Sequence, residues 1–212
     1  MGVTQQQLGD RLGVDQATVS RWERGVESPR PARQKALRKL LVREEERRFV
    51  DRSIAIVRND LMVSTLMDAR LRMTEFSASS ESFFRKRGRD PDAIVGMCLD
   101  SYADRFGLPT MMSLLDQSGI LTGEGLLFRF TVTMNGLGNT TVWEPLFHDG
   151  ELQGIFNCLA AEFEVPFAEA PMIEMAECVT TADPGGVLSL YRGERADLVS
   201  SLSIRPDRPL YQ

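Results

Sequence analysis

Residues 4–25 read Thr-Gln-Gln-Gln-Leu-Gly-Asp-Arg-Leu-Gly-Val-Asp-Gln-Ala-Thr-Val-Ser-Arg-Trp-Glu-Arg-Gly, and this spacing predicts two short helices joined by a tight turn. Thr4 and Gln7 have the spacing of a capping box, which predicts a first helix over residues 5–12. Gly13 can adopt the positive φ that reverses the chain. Asp15 is a good N-cap for a second helix over residues 16–24.

The apolar and glycine positions of this segment predict how the two helices pack. Leu8 and Leu12 fall on one face of the first helix, because they are four residues apart. Gly9 lies on the inner face, where a small residue lets the second helix cross closely. The residues expected to point inward from the turn and the second helix are Val14, Val19 and Trp22. The remaining residues of the second helix then lie on its front and outer face, away from the first helix.

The residue types on that free face are those that contact bases in the major groove of DNA. Gln bridges the edge of adenine, Arg the edge of guanine, and Ala or the Thr methyl group contacts the thymine methyl. The segment, with its Ser-Arg-Trp-Glu-Arg-Gly close at residues 20–25, resembles the helix-turn-helix of the Cro and lambda-repressor-like (XRE) family over about residues 3–41. The resemblance implies a transcription regulator that binds a double-stranded DNA operator. The residues predicted to contact DNA are Gln5, Gln16, Ala17, Thr18, Ser20, Arg21, Arg24 and Arg30.

One departure from the family leaves a second hypothesis open. Its members carry a further helix before this segment, whereas only residues 1–3 precede Thr4 here. Either the true start lies upstream, or the domain lacks a core helix and exposes apolar surface around Leu8, Leu12 and Val19. The second case describes a regulator that has lost or weakened DNA binding and acts by protein–protein interaction.

The charge distribution favours a DNA-binding N-terminus. Residues 1–48 carry 11 Lys and Arg against 7 Asp and Glu, a net of +4. Residues 49–212 carry 14 against 23, a net of −9. The basic part suits phosphate contact, and we expect the acidic remainder to face solvent or a small ligand. An ordinary solvated helix surface is the alternative explanation of the basic excess.

Length and composition restrict the class of protein. The 212 residues, 42% of them hydrophobic, suit one small and one medium domain. No segment approaches the ~20 apolar residues of a membrane span, and the polar N-terminus is no signal peptide, so we expect a cytoplasmic protein without a membrane partner. Cys98, Cys158 and Cys178 are widely spaced and odd in number, which predicts buried thiols rather than disulfides or a zinc site.

A long helix is predicted between the domains, because residues 32–60 contain no Pro or Gly. Its heptad-like stripe comprises Ala36, Leu40, Val50, Ile54, Val57 and Leu61, with Arg43 and Arg47 admitted to the same face. The later part of this stripe can pair with a second copy in a parallel coil, which predicts a homodimer. Alternatively, the helix packs on its own sensor domain.

The pattern beyond residue 60 predicts two short strands within residues 61–76, then short helices, then strands over residues 126–134, 140–148 and 153–163. Ser79 is expected to cap the first helix, Asp90-Pro91 to open a second through residue 105, and Pro109 to begin a third through residue 116. Turns are predicted at residues 135–138 and 149–150.

This order, with Trp-Glu-Pro-Leu-Phe-His-Asp-Gly-Glu-Leu-Gln-Gly-Ile at residues 143–155, resembles the PAS fold of sensory proteins over residues 61–164. In that family a Pro-Leu-x-x-Asp-Gly-Glu-x-x-Gly hairpin joins the last two strands of a five-stranded antiparallel sheet. The resemblance implies a domain that dimerises or holds a small molecule between its sheet and its helices.

The predicted protein is therefore α+β: a small all-α helix-turn-helix domain (1–41), a linker helix (42–60), a PAS-like sensor or dimerisation domain with five strands and short helices (61–164), and a C-terminal extension (165–212). Within the extension, residues 187–191 and 198–204 are expected to form strands. The predicted pocket residues, whose soft lining suits a small neutral apolar ligand, are Met97, Tyr102, Met111, Phe128, Phe130, Trp143 and Phe156. A plain core made by the same residues is the alternative.

The residues point to no particular cofactor and to no enzyme. Cys98 lies outside the Asn-Cys-Arg-Phe-Leu-Gln run of flavin-adduct photosensors. His148, the only histidine, directly precedes the Asp149-Gly150 turn, where a side chain is usually solvated and a poor haem ligand. A single histidine also leaves no Ser-His-Asp set, and no glycine-rich phosphate loop follows a strand.

Overall fold

The computed structural model describes residues 4–166 and 170–203. The chain divides into two compact units, Met1–Val50 and Asp51–Gln212. A single helix, α3, spans Pro31–Arg58 and contains the point of division. Its extent agrees with the helix predicted from the absence of Pro and Gly.

The N-terminal unit contains the two predicted helices, α1 (Gln5–Leu12) and α2 (Gln16–Glu23). The Thr4 amide donates to Gln7 Oε1 at 2.9 Å and the Gln7 amide donates to Thr4 Oγ1 at 3.2 Å, so the capping box is formed. Gly13 follows α1 in the left-handed conformation, with φ 62°. Asp15 accepts from the Thr18 amide at 2.6 Å and caps α2. These local features confirm the predicted helix, turn and helix.

The two helices cross closely at Gly9. A Cβ at this position would lie 2.6 Å from the carbonyl oxygen of Val14, so only glycine fits. Leu12 and Val19 are buried between the helices, whereas Trp22 is half-buried. At the start of α3, Arg33 donates to the Leu12 carbonyl and closes the end of α1.

The larger unit is built on one antiparallel sheet. Its strands are β1 (Ser64–Asp68), β2 (Met73–Phe76), β3 (Gly125–Met134), β4 (Leu137–His148), β5 (Glu151–Glu164), β6 (Met172–Thr180) and β7 (Asp183–Arg192). In the described residues they are ordered β2-β1-β5-β4-β3-β6-β7. The succession of two strands, short helices and three strands is the one predicted, and it confirms the PAS-like architecture.

The sheet has two strands more than predicted, because the C-terminal region adds β6 and β7 beside β3. The expected strand at residues 187–191 lies within β7. The expected strand at residues 198–204 is wrong, since helix α7 spans Ala196–Ser203. Ala196 and Val199 are both buried and three residues apart, so the apolar side chains form a helical face rather than an alternating one. Residue 204 lies outside the described residues.

Two tight hairpins connect the central strands. Asn135 and Gly136 have φ of 51° and 76°, and Asp149 and Gly150 have φ of 51° and 79°, as a two-residue turn of this hand requires. The first turn is shorter than predicted, because Leu137 already pairs with Met134. The second is the predicted Asp-Gly hairpin.

Short helices cover one face of the sheet: α4 (Ala78–Lys86), α5 (Leu99–Arg105) and α6 (Met111–Gln117), with a 3₁₀ turn at Pro91–Ala93. The continuous helix predicted from Asp90 to residue 105 is wrong. Gly96 takes a φ of 81°, and Cys98 forms a β-bridge with Arg72 before α5 begins. Tertiary pairing thus interrupts a locally permissible helix.

The end of α3 packs within the larger unit. Val57 is buried, and Arg58 makes a bidentate ion pair with Glu75 of β2 at 2.8 and 2.9 Å. Leu61 lies beyond the helix and is 91% exposed, so the predicted stripe stops before it. In the described ranges no helix is long and apolar enough to cross a membrane. Of the cysteines, Cys178 is buried, but Cys98 and Cys158 are only half-buried, contrary to expectation.

The N-cap of α4 is Ser77 rather than the predicted Ser79. Its buried hydroxyl accepts from the amides of Ser80 at 3.0 Å and Ser64 at 3.2 Å, and donates to the Met62 carbonyl at 2.7 Å. Ser79 makes one hydrogen bond, to the Leu61 carbonyl, near the surface.

We therefore expect Ser77→Ala to lower the free energy of unfolding by about 1–2 kcal/mol, because it removes a cap and leaves buried backbone groups unpaired. Chemical denaturation of the full chain measures the change. Ser79→Ala is the matched control and should cost clearly less. Equal losses in the two variants would show that Ser77 has no special role.

Candidate DNA-binding surface and ligand cavity

The residues predicted to contact DNA lie on α1, on α2 and in the segment that follows. Gln16, Ala17, Arg24 and Arg30 are exposed. The four half-buried residues are Gln5, Thr18, Ser20 and Arg21. Because Gln16 and Ala17 open α2, they are positioned as the N-terminal residues of a recognition helix are.

Arg21 is held by two neighbours. Its Nη2 donates to Thr18 Oγ1 at 2.8 Å and its Nε donates to Glu27 Oε2 at 3.1 Å. The Arg21 side chain is 42% exposed, so further donors remain available to a base or phosphate. These contacts restrict the arginine to the face that carries Thr18.

Two further contacts order the edges of this surface. Gln5 Nε2 donates to Glu23 Oε2 at 2.6 Å, which joins the start of α1 to the end of α2. Arg24 Nε donates to the Ser20 carbonyl at 3.2 Å. Ser20 and Arg24 are thus one helical turn apart on the same side of the chain, at the end of α2.

A cavity lies between the sheet and the short helices that cover one of its faces. Its volume is about 890 Å³, counting its opening to solvent. Four predicted pocket residues line it, namely Tyr102, Met111, Phe130 and Trp143.

Three predicted pocket residues do not line the cavity. Phe128 is fully buried behind it, with its ring 5.4 Å from that of Phe130. Phe156 points to the opposite face of the sheet, because its neighbour Asn157 faces the cavity and side chains alternate along a strand. Met97 precedes α5, and its carbonyl accepts from the Met73 amide at 3.0 Å.

The cavity also has polar residues that the sequence reasoning missed. On β4, Asn139 and Thr141 face inward with Trp143, and the Trp143 indole donates to Thr141 Oγ1 at 3.0 Å. Thr65 and Asn157 line the cavity on neighbouring strands. The alternation of β4 around Trp143 could have identified the first two, since residues two apart share a face.

Among the described residues of the lining, Arg89 is the charged one. Its Nη1 donates to Tyr102 Oη at 3.1 Å, its Nη2 lies 3.5 Å from Met134 Sδ, and its Cζ is 4.0 Å from the centroid of the Phe106 ring. Burial raises the pKa of the Tyr102 phenol above its ordinary value. Tyr102 is therefore neutral at pH 7.

A second arginine lies close by with a carboxylate partner. Arg87 makes an ion pair with Glu162 of β5 and stacks 3.5 Å from the centroid of the Phe83 ring. Burial, and then the positive charge of Arg89, lower the pKa of Arg87. Glu162 offsets the charge of Arg87, whereas no carboxylate in the described residues is paired with Arg89.

Comparison with known proteins agrees with the division of the chain into two compact units. Residues 1–41 match the helix-turn-helix family model. The N-terminal domain is thus a helix-turn-helix domain, joined through α3 to a PAS-like domain. The match agrees with the helix-turn-helix resemblance drawn from the N-terminal sequence. No curated protein sequence matches the chain.

Several solved structures are similar to the larger unit. The PAS domain of BvgS from Bordetella pertussis has 19% sequence identity and a TM-score of 0.40, with 52% of this chain and 83% of that chain covered. The LOV protein of Rhodobacter sphaeroides has 13% identity and a TM-score of 0.41, over 57% and 68% of the two chains. The phage VqmA–DPO complex has 13% identity and a TM-score of 0.41, over 56% and 55%.

Proposed function

We propose that this chain is a non-enzymatic transcription regulator that binds a DNA operator through α2 as a homodimer and responds to a small ligand in its PAS-like unit. The observation that carries the proposal is the capped α1–turn–α2 unit with Gln16 and Ala17 exposed at the start of α2. These residue types contact base edges, and a residue at the start of a recognition helix reaches the major groove.

The dimer in this proposal follows from the geometry of DNA. One helix-turn-helix reads only a half-site, so useful affinity requires two copies related by a two-fold axis. Exposed apolar side chains at and beyond the end of α3, those of Ile56, Leu61 and Met62, support pairing with a second copy. Val57 is buried in its own unit, which restricts any pairing to other positions of α3.

Ligand control in this proposal acts through α3, which contributes residues to both compact units. A ligand in the cavity shifts DNA binding only by the difference between its affinities for the two arrangements of the dimer. The Arg58–Glu75 ion pair connects the end of α3 to β2 and gives such a shift a physical route from the sheet.

The role of Arg21 provides the test of DNA reading. We expect Arg21→Ala to weaken specific binding by about 1–3 kcal/mol, or about 5- to 150-fold, and to relax the preference for one base pair. Arg24→Ala is the control, because a phosphate contact is lost equally on all sequences. Fluorescence anisotropy with specific and scrambled duplexes separates the two effects.

Unchanged discrimination in Arg21→Ala would contradict the assignment of this residue to a base. The slope of affinity against salt gives a second readout. It should become less steep in Arg24→Ala, since one phosphate contact is lost and fewer counterions are released.

A further inference from the structure

We propose that the cavity binds a small organic acid with an apolar, planar body, a carboxylate that pairs with Arg89, and an N–H or O–H group that donates to Asn139. This inference rests on the ligand-sensing part of the proposed function and names the ligand class. It differs from the neutral ligand expected from the aromatic and methionine residues alone.

The first argument is the charge of Arg89. A guanidinium has five N–H donors, and the phenol of Tyr102 and the sulfur of Met134 engage two of them. Within residues 4–166 and 170–203 no carboxylate pairs with Arg89, whereas its neighbour Arg87 is paired with Glu162. A half-buried cation is stabilised by an anion, and the planar guanidinium fits a carboxylate with two parallel hydrogen bonds.

The contacts of Arg89 also orient it for this role. Its guanidinium lies 4.0 Å from the centroid of Phe106 and is hydrogen-bonded to Tyr102 Oη at 3.1 Å. Two aromatic residues therefore hold the plane of the group. Sulfur is a weak acceptor, so the donor near Met134 can be transferred to a carboxylate oxygen at little cost.

The second argument is the amide of Asn139. Its Oδ1 is buried and has no hydrogen-bond partner in the described part of the chain, although the residue lines the cavity. An unpaired buried acceptor costs free energy, and a ligand N–H or O–H would satisfy it. The cavity would therefore prefer a ligand with such an N–H or O–H donor over analogues that lack it.

Sheet register places these two groups at one end of the cavity. Asn139 pairs with Val132, and Met134, which contacts Arg89, pairs with Leu137 two residues before Asn139. Away from this end, the described lining is mostly apolar, with Thr65, Thr141 and Asn157 as its further polar residues. A ligand with its carboxylate and its donor near each other, and with the rest of its surface apolar, matches this arrangement.

Two isomers of indolecarboxylate are suitable probes, because each combines a planar body, a carboxylate and an N–H donor at a different separation. Indole lacks the carboxylate, and 1-naphthoate lacks the donor. We expect at least one indolecarboxylate to raise the melting temperature of the full chain and to bind more tightly than indole in isothermal titration calorimetry.

The variants assign the contacts. Arg89→Met should weaken the indolecarboxylate at least tenfold without weakening indole, and Arg89→Lys should retain part of the affinity. Arg105→Met is the matched control, since Arg105 lies 5.8 Å from the same Phe106 ring but does not line the cavity. Asn139→Leu should weaken the indolecarboxylate and leave 1-naphthoate unchanged. Melting curves without ligand verify that each variant is folded.

The outcomes separate this inference from the proposed function. If indole raises the melting temperature and neither indolecarboxylate does, the acid class of ligand is overturned while the proposal of ligand sensing stands. If no probe stabilises the chain, or if Arg89→Met binds the acid as tightly as the unaltered chain, the inference is overturned as well. DNA binding, measured on the same preparation without ligand, tests the regulator independently.

Discussion

Gly9→Val is expected to abolish specific DNA binding while leaving the melting of the PAS-like unit unchanged. An added Cβ would lie 2.6 Å from the Val14 carbonyl oxygen, a backbone atom that cannot move without separating α1 from α2. Overpacking of this kind costs about 1–3 kcal/mol or more, and a small domain has little stability in reserve. Electrophoretic mobility shift and thermal melting of the full chain measure the two properties.

Gln6→Val is the matched control for Gly9→Val. It introduces the same β-branched residue into α1, but at an exposed position. We expect it to cost the loss of helix propensity and of the exposed Gln6–Asp10 hydrogen bond, about a few tenths of a kcal/mol each, and to retain DNA binding. Normal operator binding by Gly9→Val would show that the close helix crossing is not required.

Phe128→Ala is expected to lower the free energy of unfolding of the PAS-like unit by about 3–5 kcal/mol. Phe128 is fully buried, and its ring lies 5.4 Å from that of Phe130 and 6.1 Å from that of Trp143. Removing the ring leaves a void behind the wall of the cavity. Chemical denaturation followed by circular dichroism measures the loss.

Leu126→Ala, on the same strand, is the control for this substitution. Leu126 is 43% exposed, so the change should cost clearly less than Phe128→Ala. A loss at Phe128 as small as that at Leu126 would contradict the assignment of Phe128 to the core.

The features predicted correctly from the sequence are those with local causes. Thr4, Gly13 and Asp15 act on backbone groups within a few residues, and Asp149-Gly150 favours a two-residue hairpin in any context. The α1–turn–α2 unit consists almost entirely of such signals. Its residues could therefore be assigned to elements before the structure was known.

The features missed depend on partners distant in the sequence. Ser77 rather than Ser79 caps α4, because its hydroxyl also contacts Ser64 and Met62 on the chain before it. The pairing of β6 with β3 is long-range, so the sequence predicted the strand at residues 187–191 within β7 but neither β6 nor its place beside β3. The number and spacing of the cysteines predicted buried thiols, but Cys98 and Cys158 are only half-buried.

The cavity shows the same limit. Its aromatic residues were predicted from their type, but Phe156 faces away, because strand register decides which face a side chain occupies. Arg89 precedes the 3₁₀ turn, in a segment without periodicity, and its contacts with Tyr102 and Met134 join three separate parts of the chain. Such a polar group becomes visible only once the strands and helices are assembled.

The most direct test of the account is selection of binding sites by the full chain from a random pool of double-stranded DNA. We predict enrichment of one sequence with two-fold symmetry, whose half-site centres are separated by about 34–36 Å or a multiple of that distance. Arg21→Ala should reduce the enrichment at one position of each half-site. A pool that remains random after repeated rounds would contradict the account and favour a regulator that acts by protein–protein interaction.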